Sequence, residues 1–246
     1  MKFEYAGTLQ QLTSPLLVIA DGGRSLEHIP GLMRDTKAYG HDALVSKVKA
    51  ELPHGNIAYE RFTDSGPMAL LPNGDRDFSL VWTGEKSMID RLLTLDDTQF
   101  LTELHHAFGD RVGQFTSIEK RISFPLKLSR LSVADTSHVV VIGNAAQTMH
   151  PVAGQGFNVG MRDAWTLVDL IVNPTTAPLG SEPMLAEYHK RRQADTRGGL
   201  LFTDFLVNIF TNQTLGVATL RGLGLGLLSS LPPVKRVLVN KMSFGK

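Results

Sequence analysis

The sequence predicts an α+β fold, and three observations lead to that prediction. An apolar run, His138–Ile142, precedes a glycine-rich segment and then apolar residues at helical spacing up to Val172, which predicts a strand, a turn and a helix. Short apolar runs between residues 39 and 82 are separated by turn signals, a pattern typical of an antiparallel sheet. From Pro183 onward the pattern is mostly helical.

The predicted elements follow one another without an internal repeat. In chain order they are a strand at Leu16–Ala20, an antiparallel meander from Tyr39 to Trp82, a helix at Asp96–Phe108, extended chain at Phe115–Leu128, and the strand and helix on either side of the glycine-rich segment. Asn73 and Gly74 both tolerate positive φ, which favours a turn inside the meander. Asp96 or Asp97 can cap the helix. We assign both tryptophans, Trp82 and Trp165, to the core.

The composition excludes several classes of protein. With 246 residues, 42% of them hydrophobic, the chain can form one large domain or two modest ones. A formal net charge of +1 argues against a dedicated nucleic-acid binder, which would carry a basic face. The absence of cysteine excludes disulfides and thiolate metal sites. Because the first residues contain no apolar signal-peptide region, we expect a cytoplasmic protein.

The glycine-rich segment, Gly143–Asn158, is the most informative part of the sequence. It contains three glycines, one proline and two asparagines, a combination that a merely flexible turn does not require. Placed between a strand and a helix, such a segment presents backbone N–H groups to an electron-rich ligand. The glycines at 154 and 156 let the backbone approach that ligand without a Cβ in the way.

The same segment resembles the second flavin-binding motif of the class A FAD-dependent aromatic hydroxylases. The order of its residues is most similar to that in the 2-polyprenyl-6-methoxyphenol hydroxylases of ubiquinone biosynthesis. Asp163 matches the later aspartate of the motif. Ala20–Ser25 resembles the Asp-Gly motif of the family, and Tyr59–Thr63 resembles one of its substrate-domain strands. The resemblance implies FAD as cofactor, NAD(P)H as electron donor, and hydroxylation of an aromatic ring through a flavin hydroperoxide.

The resemblance also implies which residues contact the flavin. The cofactor-binding candidates are Asp21, Gly22, Gly143, Asn144, Ala145, Pro151, Gly154, Gln155, Gly156, Phe157 and Asn158. Pro151 and His150 are the candidates nearest the reaction, and no residue is assigned a catalytic role beyond that. The implied substrate is a polyprenyl phenol, for which we expect contacts from Tyr59, Phe62, Met68 and Leu70. We predict no metal site, because the adjacent pair His105-His106 would point to different faces of a helix.

The sequence departs from the family pattern in three places. Asn144 replaces the usual aspartate, although its amide can still accept a hydrogen bond from a ribityl or ribose hydroxyl. His28 occupies the position of a family arginine. The strand, Gly-x-Gly-x-x-Gly and helix that hold the FAD pyrophosphate are absent from these residues. We therefore expect a truncated chain, either a fragment of a longer protein or a natural remnant of this flavoprotein-hydroxylase fold.

The predicted organisation has three parts. Residues 1–30 and 128–175 are assigned to the remaining FAD-binding lobe, 31–127 to a substrate-binding antiparallel sheet domain, and 176–246 to a C-terminal helical region. The apolar runs Leu200–Phe210 and Leu215–Leu231 are shorter than a membrane-spanning helix requires. Basic residues follow them, so these helices either lie peripherally at the inner membrane face or pack on the rest of the fold.

Two functions remain open from the sequence. The first is an FAD-dependent monooxygenase that hydroxylates a polyprenyl phenol in ubiquinone biosynthesis. The second is a non-catalytic remnant that acts as a lipid-binding or complex-forming partner in the quinone pathway. Retention of flavin by the purified chain distinguishes them.

Overall fold

The fold is given by a computed structural model, which describes residues 2–63, 65–134, 137–149, 154–173, 177–211, 226 and 230–244. The chain divides into two compact units. Unit 1 comprises residues 1–36, 129–201 and 237–246, and unit 2 comprises residues 37–128 and 202–236. The division into three parts that the sequence suggests stays a prediction.

The described strands and helices come in separate runs along the chain, as is typical of an α+β fold. The strands are β1 (Lys2–Tyr5), β2 (Thr8–Gln11), β3 (Leu17–Ile19), β4 (Leu32–Ala50), β5 (Tyr59–Thr63), β6 (Gly66–Pro72), β7 (Asp77–Glu85), β8 (Phe115–Ile118), β9 (Ile122–Ala134), β10 (Val139–Val141) and β11 (Gln147–Thr148). The helices are α1 (Lys86–Thr94), α2 (Asp97–Phe108), α3 (Gln155–Val172), α4 (Glu182–Thr211) and α5 (Pro232–Phe244).

The larger sheet has the strand order β11-β9-β4-β7-β6-β5, and β8 also pairs with β4. β5, β6 and β7 form an antiparallel meander, in which Tyr59 lies opposite Leu70 and Met68 opposite Trp82. This confirms the predicted meander. Before Pro53 the strand is longer than the short apolar run that the sequence indicates, because residues 32–50 form a single strand of 19 residues.

The core of unit 2 lies between this sheet and the helices α1 and α2. Trp82 is 2% exposed and packs edge-on against Phe100, with 6.0 Å between ring centroids. Helix α2 begins with a capping box, in which Asp96 accepts a hydrogen bond from the backbone N–H of Gln99 at 2.8 Å. The predicted helix and its cap are therefore confirmed. Helix α1 was not predicted, although Ile89 and Leu92 have the spacing of a buried helix face.

Unit 1 contains a two-stranded parallel sheet, in which Val139 lies opposite Leu17 and Val141 opposite Ile19. Helix α3 buries Val159, Leu167 and Leu170. Its other apolar row is exposed, so the assignment of Trp165 to the core is wrong: this side chain is 78% exposed. The helix carries two apolar rows, and periodicity alone does not tell which of them is covered.

The C-terminal region is helical where the structure describes it, as predicted. Helix α4 has 30 residues and is followed at the end of the chain by α5. Most of the apolar run Leu215–Leu231 lies outside the described residues. No helix in the described part of the chain combines the length and the apolar character needed to cross a membrane.

Candidate functional site

Two turns lie side by side in unit 1, each directly beyond the end of a parallel strand. The Asp21 turn follows β3, and the Gly143 turn follows β10. The pairing continues to the edge of the turns, because the N–H of Ile142 donates to the carbonyl oxygen of Ile19 at 3.0 Å. In α/β sheets, ligands bind beyond the carboxyl ends of the strands, so this edge is where a cofactor site is expected.

The first turn is shaped by the carboxylate of Asp21. This carboxylate accepts hydrogen bonds from the N–H of Gly23 and the N–H of Ser25, both at 2.8 Å, and from the Ser25 hydroxyl. The hydroxyl, followed by the N–H of Gly23, lowers the pKa of Asp21 to about 2. Asp21 is therefore ionised at neutral pH and holds the turn, in which Gly22 adopts φ +75°.

The second turn is anchored from behind by helix α3. The N–H of Gly143 donates to Asp163 at 2.9 Å. A Cβ at Gly160 would lie 3.3 Å from the Cα of Gly143, so the helix packs closely against the turn at this point. Ala145 is buried, whereas the Asn144 side chain is exposed and available for a ligand.

A buried polar network supports this anchor. Asp163 is 1% exposed and accepts from Gln147 at 2.6 Å and from Arg192 at 2.7 Å. Arg192 also pairs with Asp195 at 2.7 Å. Burial alone would raise the pKa of Asp195, but hydrogen bonds from Arg162 and Arg192 outweigh burial and lower it. Every charge in this network therefore has a partner of opposite sign, which burial requires.

The N-terminus of α3 faces open space. Its first residue follows Gly154, which adopts φ +59° and provides no side-chain cap. Among the residues that the structure describes, no atom lies within 4 Å of a Cβ built at Gly22, Gly143, Gly154 or Gly156. Gln155 is 5% exposed, whereas Phe157 is 76% exposed. A helix N-terminus beside such open space suits an anionic, planar cofactor.

Arg34 is a site residue that sequence reasoning missed. Its guanidinium donates to the Ser129 hydroxyl at 3.0 Å, to the carbonyl oxygen of Asn144 at 3.0 Å and to the Thr148 hydroxyl at 2.9 Å. It also lies against Gly23, where an added Cβ would clash with the Arg34 guanidinium. Arg34 therefore links both turns. No local pattern marks it, because these partners are 95 to 114 residues away in sequence.

The basic run Lys190-Arg191-Arg192 has the composition of a solvated helix face, but Arg192 does not lie at the surface. Arg192 is buried in the network described above. Only Arg191 shows the expected surface pairing, with Glu187 and Asp169. A helix of period 3.6 sends consecutive residues in different directions, so the run does not share one environment.

Several predicted site residues are not brought together. Pro151 and His150 lie outside the described residues. Among the proposed substrate contacts, Tyr59, Met68 and Leu70 share the core face of the sheet, and the last two have no exposed surface. Phe62 lies on the opposite face, because it alternates with its neighbours along the strand. In the part of the chain that is described, no three metal-ligating side chains cluster.

Comparison with known proteins gives a consistent family. The model of the FAD binding domain family matches residues 1–198. The ubiquinone hydroxylase of Rhodospirillum rubrum is 36% identical over 233 residues, which cover 94% of this chain and 54% of that protein. The 3-demethoxyubiquinol 3-hydroxylase of Escherichia coli is 30% identical over 217 residues, covering 87% of this chain and 55% of that protein. The chain spans about half the length of the curated relatives it matches.

Solved structures agree in fold. The anhydrotetracycline hydroxylase of Streptomyces rimosus superposes with a TM-score of 0.62 at 22% identity, covering 93% of this chain and 45% of that one. A probable FAD-dependent monooxygenase from Pseudomonas aeruginosa gives a TM-score of 0.65 at 21% identity, with 87% and 61% covered. The predicted fold class and family resemblance are thereby confirmed. The chain belongs to the FAD binding domain family.

Proposed function

We propose that this chain holds FAD for the hydroxylation of a polyprenyl phenol in ubiquinone biosynthesis, with NAD(P)H as the electron donor. One observation carries the proposal: two turns at the carboxyl ends of adjacent parallel strands lie in the same unit as a helix whose N-terminus is uncapped and open. The names of the curated relatives, which include a ubiquinone hydroxylase, support the choice of substrate class.

The residues of the site suit a flavin in three ways. The N–H groups at the start of α3 would stabilise negative charge on the ring, by about 0.3–1 kcal/mol and up to about 2 when partly buried. Gly154 and Gly156 leave room for the ring to approach the backbone. The Asn144 amide would hydrogen-bond a hydroxyl of the ribityl chain. When bound, FAD supplies the redox chemistry and the activation of oxygen.

Arg34 would act as a positioning residue for this site. It donates to the carbonyl oxygen of Asn144 in the second turn and lies against Gly23 in the first turn. Arg34→Lys keeps the charge but loses the planar fork that reaches Asn144, Ser129 and Thr148 together. We expect weaker flavin retention in this variant, and unchanged retention in Arg24→Lys, an exposed arginine of the same turn.

The experiment that tests the proposal is the visible absorbance spectrum of the chain after addition of FAD and desalting. We expect close to one flavin per chain. Gly156→Leu would fill the space above the start of α3 and abolish retention, while Gly198→Leu, at a helical glycine of α4 that is equally open, would not. A folded but colourless wild-type chain would contradict the proposal.

A second candidate is a non-catalytic partner of other quinone-pathway proteins. It is favoured by the exposed apolar row of α3, which comprises Phe157, Met161, Trp165, Val168 and Val172. Uncovered apolar surface of this kind marks protein-binding faces. Concentration-dependent association in sedimentation, lost in Trp165→Glu while the chain remains folded and colourless, would support this candidate over the first.

We also propose that helix α5 contacts a membrane peripherally. Leu231, Val234 and Val237 are exposed at helical spacing at and within α5, and Lys235 and Arg236 lie beside them. Such a helix suits the boundary between acyl chains and anionic head groups. Cosedimentation with phosphatidylglycerol vesicles should weaken in Val234→Glu/Val237→Glu, and unchanged binding would count against this contact.

A further inference from the structure

Unit 1 contains a second concave site, a cavity of about 820 Å³. Its walls come from the ends of β9 and β10, the segment after the Gly143 turn, and the first half of α4. The lining residues used below are Arg130, Leu131, Val141, Tyr188, Lys190 and Arg197. The volume lies within the roughly 300–1,000 Å³ that is usual for small-molecule sites.

This cavity is distinct from the proposed flavin site. None of the described residues predicted to contact the flavin lines it. Its floor is the buried pair of Asp163 and Arg192, joined at 2.7 Å. The same pair anchors the Gly143 turn from behind. The two sites therefore share a supporting network but have different walls.

The charge of the lining is unbalanced. Four cationic side chains line the cavity against two carboxylates, those of Asp35 and Asp163. Arg192 is already paired with Asp163 and Asp195. The side chains of the other three cations, Arg130, Lys190 and Arg197, make no hydrogen bond or salt bridge with any residue that the structure describes. Lys190 acts on Glu187 only through its charge, which contributes to the lowered pKa of that carboxylate. A concave wall lined mainly by one sign of charge concentrates ions of the opposite sign.

The helix α4 provides two of these cations from one face. Lys190 and Arg197 are seven residues apart, which is two turns, so both project to the same side. Arg130 reaches the cavity from β9. Arginine offers a planar set of donors that matches a phosphate group bidentately, while lysine adds a point charge. Leu131, Val141 and the Tyr188 ring form an apolar wall of the same cavity.

We propose that this cavity binds the phosphate group of an organic ligand, with Arg130, Lys190 and Arg197 as its cationic contacts and the apolar wall against its uncharged part. The alternative is that Arg130, Lys190 and Arg197 are ordinary solvated surface cations. That alternative explains why the three side chains are exposed, but not why all three line one cavity beside an apolar wall.

The test is isothermal titration calorimetry of the 246-residue chain with three probes: inorganic pyrophosphate, ADP, and dihexanoyl-phosphatidylglycerol below its micellar concentration. Removing a charged hydrogen-bond donor weakens binding about tenfold, so Arg130→Gln/Arg197→Gln should lower affinity roughly a hundredfold. The control is Arg76→Gln/Arg111→Gln, which removes the same charge from exposed positions of unit 2. Added salt should weaken the wild-type interaction.

The outcomes separate the sources of the phosphate and decide the proposal. Binding of ADP that the cavity variant loses identifies a soluble organic phosphate, and binding of the short-chain lipid that it loses identifies a head group. Absence of binding by every probe, equal binding by the cavity variant, or an equal loss in the control overturns the proposal. Flavin retention is measured in parallel: a colourless chain that binds ADP through these arginines refutes the proposed flavin function and supports this site.

Discussion

The two units of this chain are stabilised in different ways. Unit 2 has one continuous apolar core of fifteen buried residues, fourteen of them from strands of the large sheet and the helices α1 and α2. Unit 1 has two smaller apolar clusters, one around Leu167 and Tyr188 and one around Ile19 and Val141. It relies in addition on the buried Asp163–Arg192 pair and leaves a row of α3 exposed.

The difference shows that the candidate binding features and the main apolar core lie in different units. The two turns proposed to bind the cofactor, the N-terminus of α3 and the proposed phosphate cavity are all in unit 1, where a buried ion pair accompanies two small apolar clusters. Sites that bind ligands are commonly built from the less stable parts of a fold, because exposed polar groups cannot contribute to a core. Unit 2 provides the continuous packing that unit 1 lacks.

The largest expected effect tests this contrast with two identical substitutions. Phe100→Ala removes a fully buried ring of unit 2 that packs against Trp82, so it should destabilise by about 3–5 kcal/mol. Phe157→Ala removes an exposed ring of unit 1 and should change stability by less than about 0.5 kcal/mol. The free energy of unfolding of both variants is measured by urea denaturation in a Trp165→Phe background. Trp82 is then the one tryptophan in the sequence, and its fluorescence reports unfolding. Equal losses would contradict the contrast.

The next effect concerns the polar core of unit 1. Asp163→Asn leaves the buried Arg192 with Asp195 as its remaining carboxylate, and breaking such a pair costs about 3 kcal/mol. Asp169→Asn, on the same helix, breaks an exposed pair with Arg191 and should cost less than about 1 kcal/mol. The free energy of unfolding is compared for both variants. A cost for Asp163→Asn no larger than for Asp169→Asn would show that apolar packing, not this pair, holds unit 1.

The same contrast explains how far the sequence could predict the structure. The meander and the capped helix α2 were predictable, because turn residues, period-two runs and the Asp96 cap are local signals. The two turns that we propose for flavin were singled out by their resemblance to a known motif, and their role stays a prediction. Burial of Met68 and exposure of Trp165 were not, since a period shows that a face is apolar but not which partner covers it.

The missed residues of the site have a common cause. Arg34 contacts Ser129 and Asn144, and Arg192 contacts Asp163 from a different helix. Each of these contacts is made by elements far apart in the chain, so no spacing in the sequence predicts them. In one chain without aligned relatives, such a residue is found only when the fold brings its partners together.

A smaller effect distinguishes the N-terminus of α2 from the N-terminus of α3. Asp96→Ala removes the cap of α2 and should cost about 1 kcal/mol. Gly154→Ala forces a Cβ into a left-handed conformation at the start of α3 and should cost about 1–2 kcal/mol. We expect only Gly154→Ala to lower the flavin content after desalting, because only that helix start faces the cofactor space. Loss of flavin in both variants would indicate a general response to destabilisation.

The smallest effect lies in the Asp21 turn and is read from its pH dependence. The pKa of Asp21 is lowered from 3.8 to about 2 by the Ser25 hydroxyl and then by the N–H of Gly23. Because the folded pKa is below the unfolded value, the ionised carboxylate stabilises the turn above about pH 3.8, and this contribution disappears as the pH falls toward 2. Stability should therefore fall less between pH 6 and pH 3 in Asp21→Asn than in the wild type. Glu27→Gln, an exposed carboxylate nearby, should not change this difference, and an equal change in both variants would mean that net charge, rather than the turn, produces it.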